Sequence, residues 1–398
     1  MFLSRLIEKN AALPSAAIRL HQQGRVPANT YLLDLDTFTE NARVLKQAAD
    51  AEGLALYFMS KQFGRNPDAC RAIRAAGVSS AVCVDLQDME AVERSDTPIG
   101  HVGHLVQPHR GTEHAVIDAN PDVVTVFTLE IAKRLGSAAL ALERTQRVLL
   151  RVAAPGDVFY FGHGGGFPLD GIEKSAESIE AIEGLTVAGV TTFPALLANP
   201  ETRRVEPTHN FKTLRQAADR LRDAGFQISQ VNAPGTTSAG TMAQLREGGA
   251  THVEPGNAFH GTTPQMVFDP EASELPAVVY VSEISHLDGN EAYVFGAGLY
   301  IDKLLGDYEL RVLCGRDEGA LERVFPAEMA PDGAIHYYCI VHLPTGHRTR
   351  VGDTVVFCFR PQVFVTRART QGVAGLRSGR IEVRPQYDVE ARRVEGVS

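Results

Sequence analysis

Short apolar runs separated by helical stripes occupy most of the first two thirds of the chain. Eight of these runs read as strands, at 54–60, 79–85, 99–106, 123–128, 147–152, 185–193, 227–233 and 251–256. Between most of them the apolar positions take helical spacing. Phe211, Leu214, Ala218 and Leu221, for example, form one stripe, and Gly225 follows as a C-cap glycine does. Ahead of the first run a helix is predicted over 37–51. Thr37-x-x-Glu40 forms a capping box there, and Phe38, Ala42, Leu45 and Ala48 recur at helical spacing behind a short strand at 31–35. Alternating strands and helices predict a parallel sheet. Eight strands within residues 29–275 match the roughly 250 residues of a (β/α)8 TIM barrel, whose chemistry sits at the C-terminal ends of its strands.

After Pro276 the period changes to two and the turns shorten. Runs at 277–287, 290–302, 308–315, 334–343 and 353–368 predict an all-β domain over 276–398 with no long helix. Residues 1–28 have no place in the barrel count and are assigned beside that domain. The predicted class is therefore α/β, a barrel followed by an all-β C-terminal domain.

Composition narrows the partners. The 398 residues carry 39 Lys+Arg against 48 Asp+Glu, a formal charge of −9, so no global basic field exists to attract nucleic acid. Nowhere do about 18 apolar residues run uninterrupted, and the N-terminus lacks a signal-peptide core, so neither a membrane partner nor export is expected and the location is read as cytoplasmic. The five cysteines are odd in number and form no C-x-x-C pair. They read as buried reduced thiols rather than as a disulfide framework or zinc ribbon.

Candidate chemistry lies at strand ends. Lys61 closes the first barrel strand in Tyr57-Phe58-Met59-Ser60-Lys61. An amine there is either a solvated strand end or a partly desolvated nucleophile suited to Schiff-base chemistry. Asn232-Ala233-Pro234-Gly235-Thr236-Thr237-Ser238 follows strand seven and Glu254-Pro255-Gly256-Asn257 follows strand eight. Loops at those two places hold phosphate in many barrels, although Pro-Gly-Thr-Thr is equally a turn with an N-cap. Strand five runs on to Gly162-His163-Gly164-Gly165-Gly166, where backbone can approach a ligand and His163 is the one titratable group. His101 and His104, three apart on a predicted strand, should face opposite ways and share no metal ion, so no metal site is assigned.

Taken together these residues resemble the fold-type III pyridoxal-phosphate (PLP) enzymes, the alanine-racemase-like superfamily. The resemblance rests on Asp34-Leu35-Asp36 with Asn41, on Y-x-x-x-K-x-x-G from Tyr57 to Gly64 around Lys61 and on the strand-eight Pro-Gly turn, and it covers nearly the whole chain. It implies that Lys61 is the Schiff-base lysine and that Thr236, Thr237, Gly256 and Asn257 contact the cofactor phosphate. Phe193 would take the place of a ring-stacking histidine. Glu254 stands where alanine racemases have arginine and related basic amino-acid decarboxylases have glutamate. A carboxylate facing the pyridine nitrogen keeps it protonated and makes the ring a stronger electron sink.

Two departures bear on the reaction. The tyrosine-glycine pair of alanine racemases is replaced by Phe295-Gly296, leaving Tyr300 as the favoured phenol for the second acid/base. The His-x-Cys metal pair of the zinc-dependent D-serine dehydratase branch is replaced by Gln362-Val363-Phe364, which cannot bind zinc. The expectation is thus a PLP-dependent amino-acid racemase, a homodimer acting on an α-amino acid. A decarboxylase or eliminase of the same fold is the first alternative, and a non-enzymatic PLP carrier the second.

Overall fold

The computed structural model describes residues 1–302, 305, 309–331 and 333–395. The chain divides into two compact units, one made of 43–60 and 77–256, the other of 1–42, 61–76 and 257–398.

The first unit is the barrel. Its strands are β1 (Ala55–Met59), β2 (Ser80–Cys83), β3 (Ile99–Val102), β4 (Val123–Val126), β5 (Gln146–Ala153), β6 (Leu185–Thr191), β7 (Gln230–Asn232) and β8 (His252–Val253). Each pairs in parallel with the next, and β8 pairs with β1, so the sheet closes with eight strands as predicted. Closure follows from residue type, because β2 to β4 are apolar runs buried on both faces. Val123, Leu149 and Ala188 pack together, as do Tyr57, Met59, Val82 and Val84. Gly189 is required at the β6–β7 seam, since a Cβ there would lie 1.7 Å from the Gln230 carbonyl oxygen. The stripe ending near Gly225 is the helix His209–Asp223.

The second unit holds a ten-stranded sheet. Its order is Glu291–Phe295, Tyr338–His342, Val324–Glu328, Leu310–Gly315, Thr354–Phe357, Val278–Asp288, Thr30–Asp34, Arg369–Ala374, Glu382–Tyr387 and Arg393–Val394. Glu291–Phe295 also pairs with Val278–Asp288, so the first six strands close into a small antiparallel barrel. Thr30–Asp34, wholly buried, lies between Val278–Asp288 and Arg369–Ala374 in this sheet. Residues 1–28, for which the hydrophobic pattern predicts no element, form the helices Phe2–Asn10 and Ala12–Gln22 and bury Phe2, Leu6, Leu13 and Ile18. The strands at 324–328 and 382–387 are also absent from the predicted set, because their side chains are largely exposed or half-buried and each contains a proline.

The helix predicted from Thr37 begins two residues earlier, as Leu35–Ala51. Asp34, not Thr37, supplies its terminal acceptor. The Asp34 carboxylate accepts from the Thr37 amide at 3.3 Å and the Thr37 hydroxyl at 2.6 Å. All five cysteines are buried and none is in a disulfide. Burial pushes the thiols of Cys314, Cys339 and Cys358 up to about 12, so they are inert at neutral pH. Among the described residues no helix is long and apolar enough to cross a membrane.

Candidate active site

Strand ends β3, β4, β7 and β8 converge on one buried carboxylate. Glu254, the residue after β8, accepts at Oε1 from His101 Nδ1 at 2.5 Å and from Asn232 Nδ2 at 2.6 Å. His101 lies on β3 and Asn232 ends β7. Strands β3 and β8 are not neighbours, so the His101–Glu254 bond crosses the barrel interior, whereas Asn232 reaches Glu254 from the adjacent strand. His101 Nε2 is 2.5 Å from the Thr125 hydroxyl on β4. Glu254 Oε2 is buried, lies 3.6 Å from His104 Nε2, and accepts no hydrogen bond among the described residues. Burial by itself would raise this carboxyl, but the imidazoles of His104 and His101 and the two hydrogen bonds outweigh it and hold the group at about 2. Glu254 is therefore an anion at every physiological pH.

The histidine geometry corrects one expectation. His101 and His104 do not diverge, because β3 stops at Val102 and Gly103 turns the chain at φ +80°. Both rings, 5.5 Å apart between centroids and fully buried, meet at Glu254. Among the described residues, His101, His104 and Glu254 form the group of three donors whose atoms all lie within 4.8 Å. The alternation rule fails here because the strand ends between the two residues.

The loops after β7 and β8 are tightly built. Thr236 and Thr237 are buried, and the Thr237 hydroxyl has no partner among the described residues. Thr236 N–H donates to the Leu196 carbonyl at 3.1 Å. A Cβ at Gly235 would fall 2.8 Å from the Leu196 amide nitrogen and carbonyl oxygen, so only glycine fits that crossing. Pro255 accepts from the Met59 amide at 2.9 Å, which ties the Glu-Pro-Gly turn to the end of β1. Chain connectivity then brings Gly256 and Ser60, the residue before Lys61, out of the barrel rim close together.

Aromatic rings line the same rim. Phe193 lies 5.9 Å from His163, 5.4 Å from Tyr160 and 5.4 Å from His104, between ring centroids. Arg151, on β5, is a further residue that the sequence reading missed. It is fully buried, and its Nη2 donates to the carbonyls of His163 at 3.0 Å and Phe193 at 3.1 Å. Its Nε and Nη1 have no partner among the described residues. Desolvation lowers it to about 10, which still leaves it protonated at neutral pH. The missed signal was an arginine two residues past Leu149 within an apolar strand, on the face that Leu149 turns into the barrel core.

The remaining candidates lie in the other unit. Lys61 opens the one-turn helix Lys61–Phe63, and its Nζ sits 5.2 Å from the centroid of Phe364. Arg65 faces the same ring at 5.4 Å. Phe38 packs against both Phe63 and His260, which sets the turn Lys61–Phe63 beside Asn257–His260. Asn257, with its amide turned to satisfy both neighbours, donates from Nδ2 to His260 Nε2 at 3.2 Å and accepts from Arg360 Nη1 and Nη2 at 2.5 and 3.1 Å. Tyr300 is half-exposed. Its neighbour Ile301 bridges Pro361, and the Asp302 amide donates to the Arg360 carbonyl at 3.0 Å, so the tyrosine borders the loop that carries Phe364.

His260 is buried, and desolvation together with the Arg360 charge lowers it from 6.5 to about 3; burial likewise brings His252 to about 4. Neither ring takes a proton in the folded state until the pH is far below 6.5, whereas the unfolded chain does. Stability is therefore complete above about 6.5 and falls as the pH drops towards these lowered values, each ring contributing up to about 1.4 kcal/mol per pH unit. Chemical denaturation between neutral and acid pH should show this slope, and His260→Asn should flatten it by one proton.

The alanine racemase N-terminal domain family matches residues 33–264, and the YhfX-like C-terminal domain family matches 279–383. The chain belongs to the alanine-racemase-like family of fold-type III PLP enzymes. Along 388 residues it is 36% identical to the uncharacterized protein YhfX of Escherichia coli (strain K12), covering 98% of each chain. Among solved structures it is similar to the D-threonine aldolase from Filomicrobium marinum, at 19% identity and TM-score 0.67, covering 92% of this chain and 96% of that one. The D-threo-3-hydroxyaspartate dehydratase from Delftia sp. HT23 matches at 18% and 0.67, covering 93% and 98%. An alanine racemase of Clostridium difficile 630 matches at 14% and 0.66, covering 92% and 99%. These three share the fold.

Proposed function

We propose that this chain is a PLP-dependent amino-acid racemase that works as a homodimer on a small α-amino acid in the cytoplasm. The observation that carries the reading is Glu254, a buried carboxylate bonded through Oε1 to His101 and Asn232, whose Oε2 accepts no hydrogen bond among the described residues, on a turn hydrogen-bonded to the strand that leads into Lys61. By residue type, these side chains suit PLP. Lys61 would hold its aldehyde carbon, Glu254 Oε2 a proton at its ring nitrogen, and Phe193 with His163 the flank of the ring. Thr236, the unpartnered Thr237 hydroxyl, Gly256 and Asn257 would hold the phosphate. Bound in this way, PLP supplies a sink for the electron pair left when a bond to the substrate Cα breaks.

The chain's own residues then decide which bond that is. The Lys61 amine would take the Cα proton on one face, and the Tyr300 phenol would return one on the other. The reverse direction exchanges their roles, so substrate and product differ only in configuration. Placement of Tyr300 beside the Phe364 loop supports it as the second acid/base. With Tyr300→Phe, racemisation should fall by about 10²–10⁴, while exchange of the Cα proton with solvent deuterium at the Lys61 face should persist. Equal loss of both would remove Tyr300 from the reaction.

A second reading, decarboxylation or elimination, is favoured by Glu254 itself, because a protonated ring stabilises more kinds of carbanion than racemisation needs. Incubation with a panel of D- and L-amino acids, followed by chiral chromatography, separates the two. Interconversion of enantiomers without CO₂, ammonia or aldehyde supports the racemase, and release of any of them supports the lyase.

A further inference from the structure

We propose that His101 is a positioning residue for Glu254, fixing the carboxylate so that Oε2 alone is presented to the ring nitrogen of the cofactor. This rests on the PLP reading above and adds a role for a residue that the reading does not use.

The geometry is specific. An ionised carboxylate has no proton to give, so the hydrogen in the 2.5 Å contact belongs to His101 Nδ1, and this nitrogen is the donor to Oε1. On the far side of the ring, the Thr125 hydroxyl at 2.5 Å from Nε2 holds the imidazole from rotating. Asn232 donates to the same Oε1 at 2.6 Å. Two donors from different strands thus occupy one oxygen and hold the carboxylate plane, while the other oxygen keeps its lone pairs. All of these residues are buried, so no water competes for them. Such a bond acts like the outer-shell carboxylate of a metal-bound histidine. It sets orientation and charge without touching the reacting atoms, and loss of partners of that kind costs about 10–100-fold.

Two substitutions test the role. His101→Phe fills the same space without a donor, and His101→Asn restores an N–H near the position of Nδ1. The readouts are PLP affinity of the apo-protein by fluorescence titration, the visible spectrum of the bound cofactor, kcat and KM separately, and thermal unfolding of the apo-protein. His101→Phe should bind PLP about tenfold more weakly, shift the spectrum and lower kcat by about 10–100-fold with KM within about threefold. His101→Asn should recover most of these losses.

A His101→Phe protein with the wild-type spectrum and kcat overturns the proposal while leaving the PLP reading intact. So does a spectrum and kcat lost equally in both variants in step with lowered apo-protein stability, which marks a purely structural histidine. If the wild type carries one equivalent of a divalent ion that chelation removes together with Glu254 function, the cluster of His101, His104 and Glu254 is a metal site and the proposal falls. Failure of the wild type to take up PLP overturns both this proposal and the reading beneath it.

Discussion

Lys61→Ala protein should be colourless after incubation with PLP and should turn over no amino acid. Two functions are lost with this one amine. It is the covalent anchor of the aldehyde and, once released, the proton acceptor on one face of Cα. Loss of a positioned acid/base alone costs about 10²–10⁴ in rate, and loss of the anchor adds to it. Lys61 is half-buried in a one-turn helix, and the Phe364 ring, 5.2 Å from its Nζ, is one of its neighbours. A cation over an aromatic ring at a partly exposed site contributes about 0.5–1 kcal/mol. Absorbance after PLP addition and thermal unfolding separate the two effects. An unchanged visible spectrum with an intact fold would place the Schiff base elsewhere.

Glu254→Gln should lower turnover by about 10²–10³, the magnitude expected when a preorganised charge opposite a developing one is removed. The size of the side chain is kept, so the effect is electrostatic. An amide at this place can still take the Asn232 N–H, but it carries no charge to hold a proton at the ring nitrogen. Glu254→Arg goes further, since a cation there leaves the ring neutral. Turnover should be slower still and side products fewer, as measured by chiral chromatography with ammonia and CO₂ assays. Faster reaction of every substrate with either variant would contradict the electron-sink role.

Much of this was legible in the sequence for a physical reason. Most barrel strands are buried on both faces and appear as short apolar runs, β7 and β8 are marked instead by β-branched residues ahead of Pro-Gly turns, and all eight lie where the runs predict. Strand number then located Lys61, Glu254 and the two Gly-containing turns. What was not legible depends on where strands stop and on exposed edges. His104 joins His101 only because β3 ends at Val102 and Gly103 reverses the backbone, which a period of two cannot show. Arg151 was overlooked because one charge inside an apolar run looks like noise until the inward face is known. Val324–Glu328 carries no apolar alternation, Glu382–Tyr387 alternates but holds Pro385 and buries the polar Gln386, and pairing with neighbouring strands determines both.

The most direct test is to reduce the PLP-treated protein with borohydride, digest it and locate the modified lysine by mass spectrometry. The account predicts one pyridoxyl group per chain, on the peptide containing Lys61. A label on any other lysine, or none at all, would contradict it.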